Sequence, residues 1–289
     1  MSDVDGGGGV NHGAPQHDGR STADPARAAA RRGLPRHSPR VLMYHYFGTA
    51  PGDDPQRLFV TRARFAAQLD HLQSSGWHAL DLDGYLAALA GAPTPRRSYL
   101  LTIDDGHESA VRIAAPMLKE RGIPSVLFAC PGLLGERAGW TRHYPEERLA
   151  PADELADLPG LGMELGVHSW DHRRMSGMGE ADLDRHVRRS HAALLGATGV
   201  SARSFAYPYG THDLAARTAV AGAGYDVAFA VAREHGRYAA DRVFVQSTDS
   251  LAAFQLKLTP TYRLVSRAGG RAWRVRHRVR SAAAAARRR

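Results

Sequence analysis

The sequence contains a single cysteine, Cys130, which excludes an intramolecular disulfide. Cys130 lies in the apolar run SVLFACPG, so we expect a small buried side chain. No apolar run approaches the roughly 18 residues that a membrane-spanning helix needs. The N-terminus has neither the basic region nor the apolar region of a secretory signal peptide. These absences predict a cytoplasmic protein without a disulfide framework.

Acidic residues are missing from the C-terminal segment 261–289, which contains ten arginines. The remaining residues, 1–260, carry 28 basic and 29 acidic side chains, so the net charge of +9 belongs to this tail. An arginine-rich tail can bind an anionic membrane surface or nucleic acid, and a solvated tail is the alternative. We expect no specific nucleic acid partner, and we keep a peripheral membrane contact as a hypothesis.

Composition divides the chain into three parts. Residues 1–38 are rich in Gly, Ala, Pro, Arg and His, which predicts disorder. Residues 39–260 form the predicted folded domain, and residues 261–289 form the basic tail. Within the domain, apolar runs alternate with helical patterns, which predicts an α/β fold with a parallel sheet. Seven or eight strands in this length favour a closed or nearly closed barrel. The predicted strands are 40–46, 77–82, 98–104, 125–131, 163–169, 204–210, 226–231 and 242–246, and the predicted helices are 61–76, 83–91, 108–121, 146–158, 180–197, 212–223 and 250–258.

Four of the predicted strands end in polar residues that can do chemistry. Catalytic groups of such barrels come from the carboxyl ends of the strands, so we expect these residues to meet at one rim. They are His45, the pair Asp104 and Asp105, the pair His168 and His172, and Tyr209.

The segment HSWDH places His168 and His172 four residues apart, a spacing that allows both to bind one metal ion. Imidazole and carboxylate ligands together favour Zn, Fe, Co or Ni over Mg or Ca. The alternative is that His168 ends a strand and His172 lies on the surface, because fifteen histidines make such a spacing common by chance.

The adjacent carboxylates of TIDDGHE pose a similar choice. Gly106 allows a sharp turn that brings Asp104 and Asp105 toward one centre, where one carboxylate binds a cation and the other accepts a proton. The alternative is that they cap the helix predicted over 108–121. We assign no chemistry to His107.

Three ordered motifs, TIDDG, HSWDH and YPYG, resemble those of the NodB-type polysaccharide deacetylases, carbohydrate esterase family 4. The lead-in VLMYHYF and the following helix resemble the branch that contains poly-N-acetylglucosamine deacetylases. The resemblance spans about 40–258. It implies a single-domain distorted (β/α)7 barrel and a metal-dependent hydrolase that removes N-acetyl groups from a sugar or glycan, releasing acetate.

The resemblance also implies roles for individual residues. One divalent ion, expected to be Zn with Fe, Co or Ni as alternatives, would bind Asp105, His168 and His172. Asp104 corresponds to the general base. Tyr209, next to Pro208, corresponds to the residue whose backbone N–H holds the oxyanion. Because the motif order is permuted in this branch, His45 of the first strand corresponds to the acid that protonates the leaving group.

The sequence departs from the family pattern in two places. Many members have an arginine that orients the catalytic aspartate where this chain has Ala206, and our candidate replacement is Arg242. No late Leu-x-His motif is present, which agrees with a catalytic role for His45. Trp140, after a strand, either stacks on a sugar ring or packs in the core.

Three other functions are also compatible with these residues. The barrel could remove O-acetyl groups, which need a leaving-group acid less than N-acetyl groups do. It could bind glycans without catalysis. A non-haem iron oxygenase also uses two histidines and one carboxylate, but the alternating strands and helices argue against the β-sandwich expected for it.

Overall fold

A computed structural model describes residues 39–50, 52–140, 144, 147–231 and 236–262. The predicted disordered segment 1–38 lies outside the described residues, as does the basic tail from residue 263 onward. The domain boundaries and the role of the tail therefore stay predictions. Within the described part of the chain, no helix has the length and apolar character needed to cross a membrane.

Strands and helices alternate along the described chain. The strands are β1 Arg40–Tyr44, β2 Tyr46–Phe47, β3 Phe59–Val60, β4 His78–Ala79, β5 Ser98–Ile103, β6 Ser125–Ala129, β7 Met163–Val167, β8 Ser204–Ala206, β9 Val227–Ala230, β10 Ala240–Asp241 and β11 Val243–Phe244. The α-helices are α1 Arg62–Ser74, α2 Leu82–Leu89, α3 Ala115–Glu120, α4 Ala152–Ala156, α5 Glu180–Asp184, α6 Ser190–Thr198, α7 Leu214–Gly222 and α8 Leu251–Leu258. Single π-helical turns, Ala110–Ala114 and Arg185–Arg189, precede α3 and α6.

The main sheet is parallel and nearly closed into a barrel. Its strands follow the order β10-β9-β8-β7-β6-β5-β1-β11, with β4 pairing to the start of β5. The two ends of this order are neighbours in the chain, because β10 pairs with β9, β11 pairs with β1, and only Arg242 separates them. If β10 and β11 are taken together, seven strands form the barrel, which confirms the predicted fold class. Arg242 therefore lies at the seam.

Alternate residues of the strands pack in two separate clusters. One set, including Leu101 of β5 and Leu127 of β6, packs in a large core that extends under the helices. The other set, including Phe128 of β6 and Phe229 of β9, forms a smaller cluster to which α2 adds Tyr85. Because side chains alternate across a strand, the smaller set lines the inside of the barrel. Both faces of the strands are therefore buried, as the unbroken apolar runs predict.

The first long predicted helix, 61–76, is present and begins with a capping side chain. Thr61 accepts a hydrogen bond from the Arg64 N–H, and α1 ends at Ser74, close to the predicted boundary at Gly76. Other elements are shorter than predicted: the strand 77–82 is only His78–Ala79, and the helix 146–158 is only Ala152–Ala156. The two-residue strand β10 was not predicted, since so short a run carries no hydrophobic period.

Candidate active site

The polar residues predicted to meet at the carboxyl ends of the strands lie together. His45 follows β1, Asp104 and Asp105 follow β5, and His168 follows β7. Asp104 Oδ2 lies 4.0 Å from His45 Nε2 and 3.9 Å from His168 Nε2. Residues more than 120 positions apart in the chain thus meet at one point on the rim.

Asp104 is buried and paired with Arg242. The two guanidinium nitrogens Nη1 and Nη2 donate to Asp104 Oδ1 and Oδ2, each over 2.6 Å. Nη1 also donates to the hydroxyl of Thr102 over 3.2 Å, and the guanidinium lies over the ring of Phe128 at 5.7 Å. A two-pronged contact of this kind fixes both the position and the rotation of a carboxylate. The predicted partnership of Arg242 with Asp104 is thus present as a direct contact.

The family pattern predicts an arginine at position 206, where this chain has Ala206. That position and the Arg242 guanidinium lie in the same part of the barrel. Ala206 packs in the inner cluster with Phe128 and Phe229, and the Arg242 guanidinium lies over both rings. A cation buried at this place therefore comes from the seam of the barrel instead of from β8.

Asp105, His168 and His172 form a buried cluster that could hold a metal ion. One ligand atom from each lies within 4.8 Å of the others. Asp105 Oδ1 lies 3.3 Å from His168 Nε2 and 3.2 Å from His172 Nε2, yet it is buried and has no hydrogen-bond partner within the described part of the chain. An unsatisfied buried carboxylate oxygen between two imidazoles is costly, and a bound cation would remove that cost. The donor set therefore fits a divalent ion.

The loops that form this cluster adopt left-handed backbone conformations. Asp105 and Gly106 have φ values of 76° and 79°, Ser169 and His172 have 65° and 62°, and Tyr209 has 57°. Four of these five are not glycine, and such conformations are uncommon for residues with a Cβ. The HSWDH segment therefore meets its ligand spacing through a tight turn and not through a helical one. Asp104 and Asp105 do not cap the following helix, which begins at Ala110 without a side-chain cap.

Two contacts orient the histidines of the cluster. His168 Nδ1 lies 2.8 Å from the carbonyl oxygen of Ala206, which can only accept, so Nδ1 carries the proton and Nε2 is left with its lone pair. His172 is stacked under Trp140, with ring centroids 4.2 Å apart and planes inclined by 15°. Of the two predictions for Trp140, the packing role is therefore the one with a direct contact in the structure.

Tyr209 lies at the open side of the site. Its side chain is half-exposed, and its ring contacts His172 edge-on at a centroid distance of 4.5 Å. The Arg174 guanidinium lies over the same ring, 4.1 Å from its centroid. The preceding Pro208 is buried and starts the short 3-10 turn that contains Tyr209. Tyr209 thus lies beside the cluster with part of its side chain exposed.

Burial and neighbouring charges set the protonation states of the site. Burial alone would raise the pKa of Asp104, but Arg242 and the nearby histidines hold it below its ordinary value. Burial likewise opposes the ionised form of Asp105, yet His172, His107 and His168 hold its pKa well below the usual range. Burial lowers the pKa of His172. Ionised carboxylates beside neutral imidazoles are the forms that bind a metal ion.

His45 lies beside Asp104 and against Phe244, with ring centroids 5.4 Å apart. Burial lowers the pKa of His45, while the carboxylates of Asp105 and Asp104 act in the opposite direction. Its Nδ1 is buried and has no hydrogen-bond partner among the described residues.

Two histidines that support the site were not predicted from the sequence. His107, to which no chemistry was assigned, places Nε2 3.3 Å from Asp105 Oδ2. His186 is buried, and its Nδ1 accepts the backbone N–H of Trp170 in the HSWDH turn over 3.3 Å. Neither residue has a spacing that identifies it, although His107 follows directly after the TIDDG motif.

Comparison with known proteins agrees with this geometry. Residues 91–228 match the model of the polysaccharide deacetylase family. The matched range is a little under half of the chain. The resemblance predicted from the three motifs is thus confirmed. The matched range includes Asp104, Asp105 and both histidines of HSWDH, whereas His45 and Arg242 lie outside it and reach the site through the closure of the barrel.

Curated relatives include the poly-beta-1,6-N-acetyl-D-glucosamine N-deacetylase of Staphylococcus aureus strain MRSA252. This chain is 26% identical to it over 160 residues, which are 52% of this chain and 53% of that protein. The sequences from strains MSSA476 and N315 match to the same extent. The chain thus spans about half the length of the curated relatives it matches.

Solved structures share the fold. IcaB from Ammonifex degensii superposes with a TM-score of 0.64 at 23% identity, covering 78% of this chain and 99% of that one. The Streptococcus pyogenes deacetylase PplD, solved in complex with acetate, gives a TM-score of 0.66 at 17% identity, covering 77% and 98%. At these identities the similarity shows the barrel fold and does not by itself show the chemistry.

Proposed function

We propose that the chain is a metal-dependent N-deacetylase of glycans that contain N-acetylglucosamine. One observation carries the proposal: Asp104, fixed by Arg242, stands 3.9 Å from His168 and 4.0 Å from His45, beside the Asp105, His168 and His172 cluster. A base, an acid and a cation site thus surround one point on the rim. The name of the staphylococcal relatives supports the choice of substrate class.

The residues divide the reaction among them. A divalent ion held by Asp105, His168 and His172 would polarise the acetyl carbonyl and make a water molecule more acidic. Asp104 accepts a proton from the attacking water, and Arg242 holds its carboxylate in the ionised form. The Tyr209 backbone N–H donates to the developing oxyanion, an interaction whose loss typically costs about 2.7–4 kcal/mol of barrier.

His45 donates a proton to the departing nitrogen. A sugar amine leaves readily only when it is protonated, whereas an alcohol leaving from an O-acetyl ester depends less on an acid. The placement of His45 next to Asp104 therefore favours amide over ester hydrolysis.

Acetate release tests the proposal. The purified protein would be assayed on N-acetylglucosamine oligomers, peptidoglycan fragments, acetylated xylan and sugar nucleotides, with and without a chelator and with Zn²⁺ restored. We expect acetate from an N-acetylated substrate, loss of the signal with the chelator, and recovery with the metal. Acetate from xylan alone would instead identify an O-acetyl esterase, and sugar binding without acetate would identify a silent glycan-binding barrel.

The oxygenase alternative has its own readout in the same assay. Oxygen consumption with iron, without acetate release, would contradict the deacetylase proposal. The parallel barrel and the family match argue against that outcome.

A further inference from the structure

The two oxygens of Asp105 face different partners. Oδ1 faces His168 Nε2 and His172 Nε2 at 3.3 and 3.2 Å, and this is the oxygen that belongs to the candidate metal cluster. Oδ2 faces His107 Nε2 at 3.3 Å. His107 is outside the cluster and contacts it through the second oxygen of this carboxylate.

His107 is held so that its ring has little freedom to move. It is fully buried, and its ring is stacked on Tyr46 with centroids 3.7 Å apart and planes inclined by 27°. Tyr46 is stacked in turn on Phe59, with centroids 4.4 Å apart. The backbone carbonyl of His107 accepts the N–H of Ala110 over 2.9 Å. An imidazole fixed on both its ring and its backbone can hold a neighbouring carboxylate.

Asp105 needs such a partner because nothing in its own backbone selects which oxygen faces the histidines. Its φ of 76° places it in a tight turn, and rotation about the terminal bond of an aspartate is soft. A donor on Oδ2 restricts that rotation and leaves Oδ1 as the only oxygen that can face the cluster. A ligand carboxylate hydrogen-bonded in this way also binds metal more tightly, because the ligand is already oriented.

We infer that His107 is a positioning residue that donates its Nε2–H to Asp105 Oδ2, so that Asp105 offers Oδ1 alone to the divalent cation. The inference rests on the proposed metal site. It assigns His107 no contact with the substrate or the reacting atoms.

The test compares variants at position 107 that differ in the hydrogen-bond donor. His107→Phe keeps an aromatic ring on Tyr46 but has no donor. His107→Gln and His107→Met have similar length and flexibility, and only the glutamine can donate. We expect the phenylalanine and methionine variants to bind Zn²⁺ about 10–100-fold more weakly than the parent, and the glutamine variant to recover most of that loss.

Affinity would be measured by competition with a chromophoric chelator, independently of activity. The visible absorption of the Co²⁺-loaded proteins gives a second readout, because a carboxylate freed at Oδ2 can bind through both oxygens and change the spectrum. His191→Phe, which removes a half-buried histidine of α6 that lies against Tyr225 and away from the cluster, is the control and should bind as the parent does.

The results separate the two proposals. A parent that binds no divalent ion would overturn the metal-dependent function, whatever the variants do. A parent that binds, with a methionine variant that binds equally well or a glutamine variant as weak as methionine, would overturn the positioning role alone. If the phenylalanine variant does not fold, the glutamine and methionine pair still decides.

Discussion

Replacing Arg242 tests most directly how Asp104, the proposed base, is held. Arg242→Met removes the guanidinium from Asp104 and keeps much of the aliphatic volume among the rings of Phe128 and Phe229. It breaks two contacts of 2.6 Å to a carboxylate that is 2% exposed. Breaking a buried ion pair from one side typically costs about 3–5 kcal/mol, because the remaining charge is left unpaired. We expect a loss of that order in the free energy of unfolding of the metal-free protein.

Catalysis should fall together with stability. Asp104, which we propose as the general base, would lose both its orientation and its partner, and general bases contribute roughly 10²–10⁴-fold to rate. We expect kcat/KM for acetate release to fall by at least about tenfold, and by no more than the roughly 10²–10⁴-fold that complete loss of a general base would cause. The surface arginine Arg203, which pairs with Asp83 and Asp226, is the matched control, since exposed ion pairs contribute about 0–1 kcal/mol. Arg203→Met should leave activity unchanged.

The pH profile separates a role in tuning the base from a merely structural one. In the parent, burial tends to raise the pKa of Asp104, and the guanidinium together with His168 and His45 more than offsets it, so the folded pKa is lowered. The pair therefore stabilises the fold above the ordinary pKa of an aspartate, and this stabilisation is lost as the pH falls through the lowered value. Without Arg242 the pKa of Asp104 rises. The acidic limb of the kcat/KM profile should therefore move to higher pH.

Two outcomes would refute this reasoning. An Arg242→Met protein with kcat/KM within about twofold of the parent would show that the contact does not matter for catalysis. A protein whose activity falls by the same factor at every pH, with metal content unchanged, would show that Arg242 acts only through the fold.

Three further predictions concern neighbouring residues. Asp104→Asn should abolish acetate release while Zn²⁺ still binds, as measured by metal analysis after gel filtration; a fully active variant would remove Asp104 as the base. His45→Gln should slow release from an N-acetyl substrate more than from an O-acetyl ester in parallel assays, and equal losses on both would argue against the acid role. Gly106→Ala should destabilise by more than the roughly 1–2 kcal/mol of left-handed strain, because its Cβ would lie 3.2 Å from Ala129 Cα. In thermal melts Gly122→Ala, at φ 63° with open space around it, should show only the strain, and equal melts would contradict the close contact.

The meeting of the polar residues at the carboxyl ends of the strands could be predicted, because it depends on a general property of parallel sheets. His45, Asp104 and His168 each follow a strand, and parallel strands present their carboxyl ends at one edge. The pattern of the strands alone therefore predicts that these residues lie together. The cap at Thr61 was predictable for a similar reason, since the preference of threonine for that position is local.

The supporting contacts could not be predicted in the same way. His107 follows a recognisable motif, yet its partner depends on the rotation of Asp105 and on the stacked ring of Tyr46, which no spacing encodes. The turn through HSWDH depends on left-handed backbone at Ser169 and His172, and sequence patterns report such conformations reliably only for glycine. The carbonyl of Ala206 that orients His168 is a backbone atom and leaves no trace in residue identity.

The replacement of an arginine at position 206 by Arg242 can be tested directly. Ala206 of β8 pairs with Phe229 of β9 and packs in the inner cluster, whose rings the Arg242 guanidinium covers. An arginine at position 206 would therefore enter the same buried space from another strand. We expect the double variant Arg242→Ala/Ala206→Arg to recover activity and the acidic limb lost in Arg242→Ala, because the carbonyl of residue 206 is kept for His168. Ala206→Arg alone should destabilise the protein, since two guanidinium groups would then compete for one carboxylate. A double variant no more active than Arg242→Ala would show that a cation in this space is not sufficient, and that only the seam of the barrel gives it the required angle to Asp104.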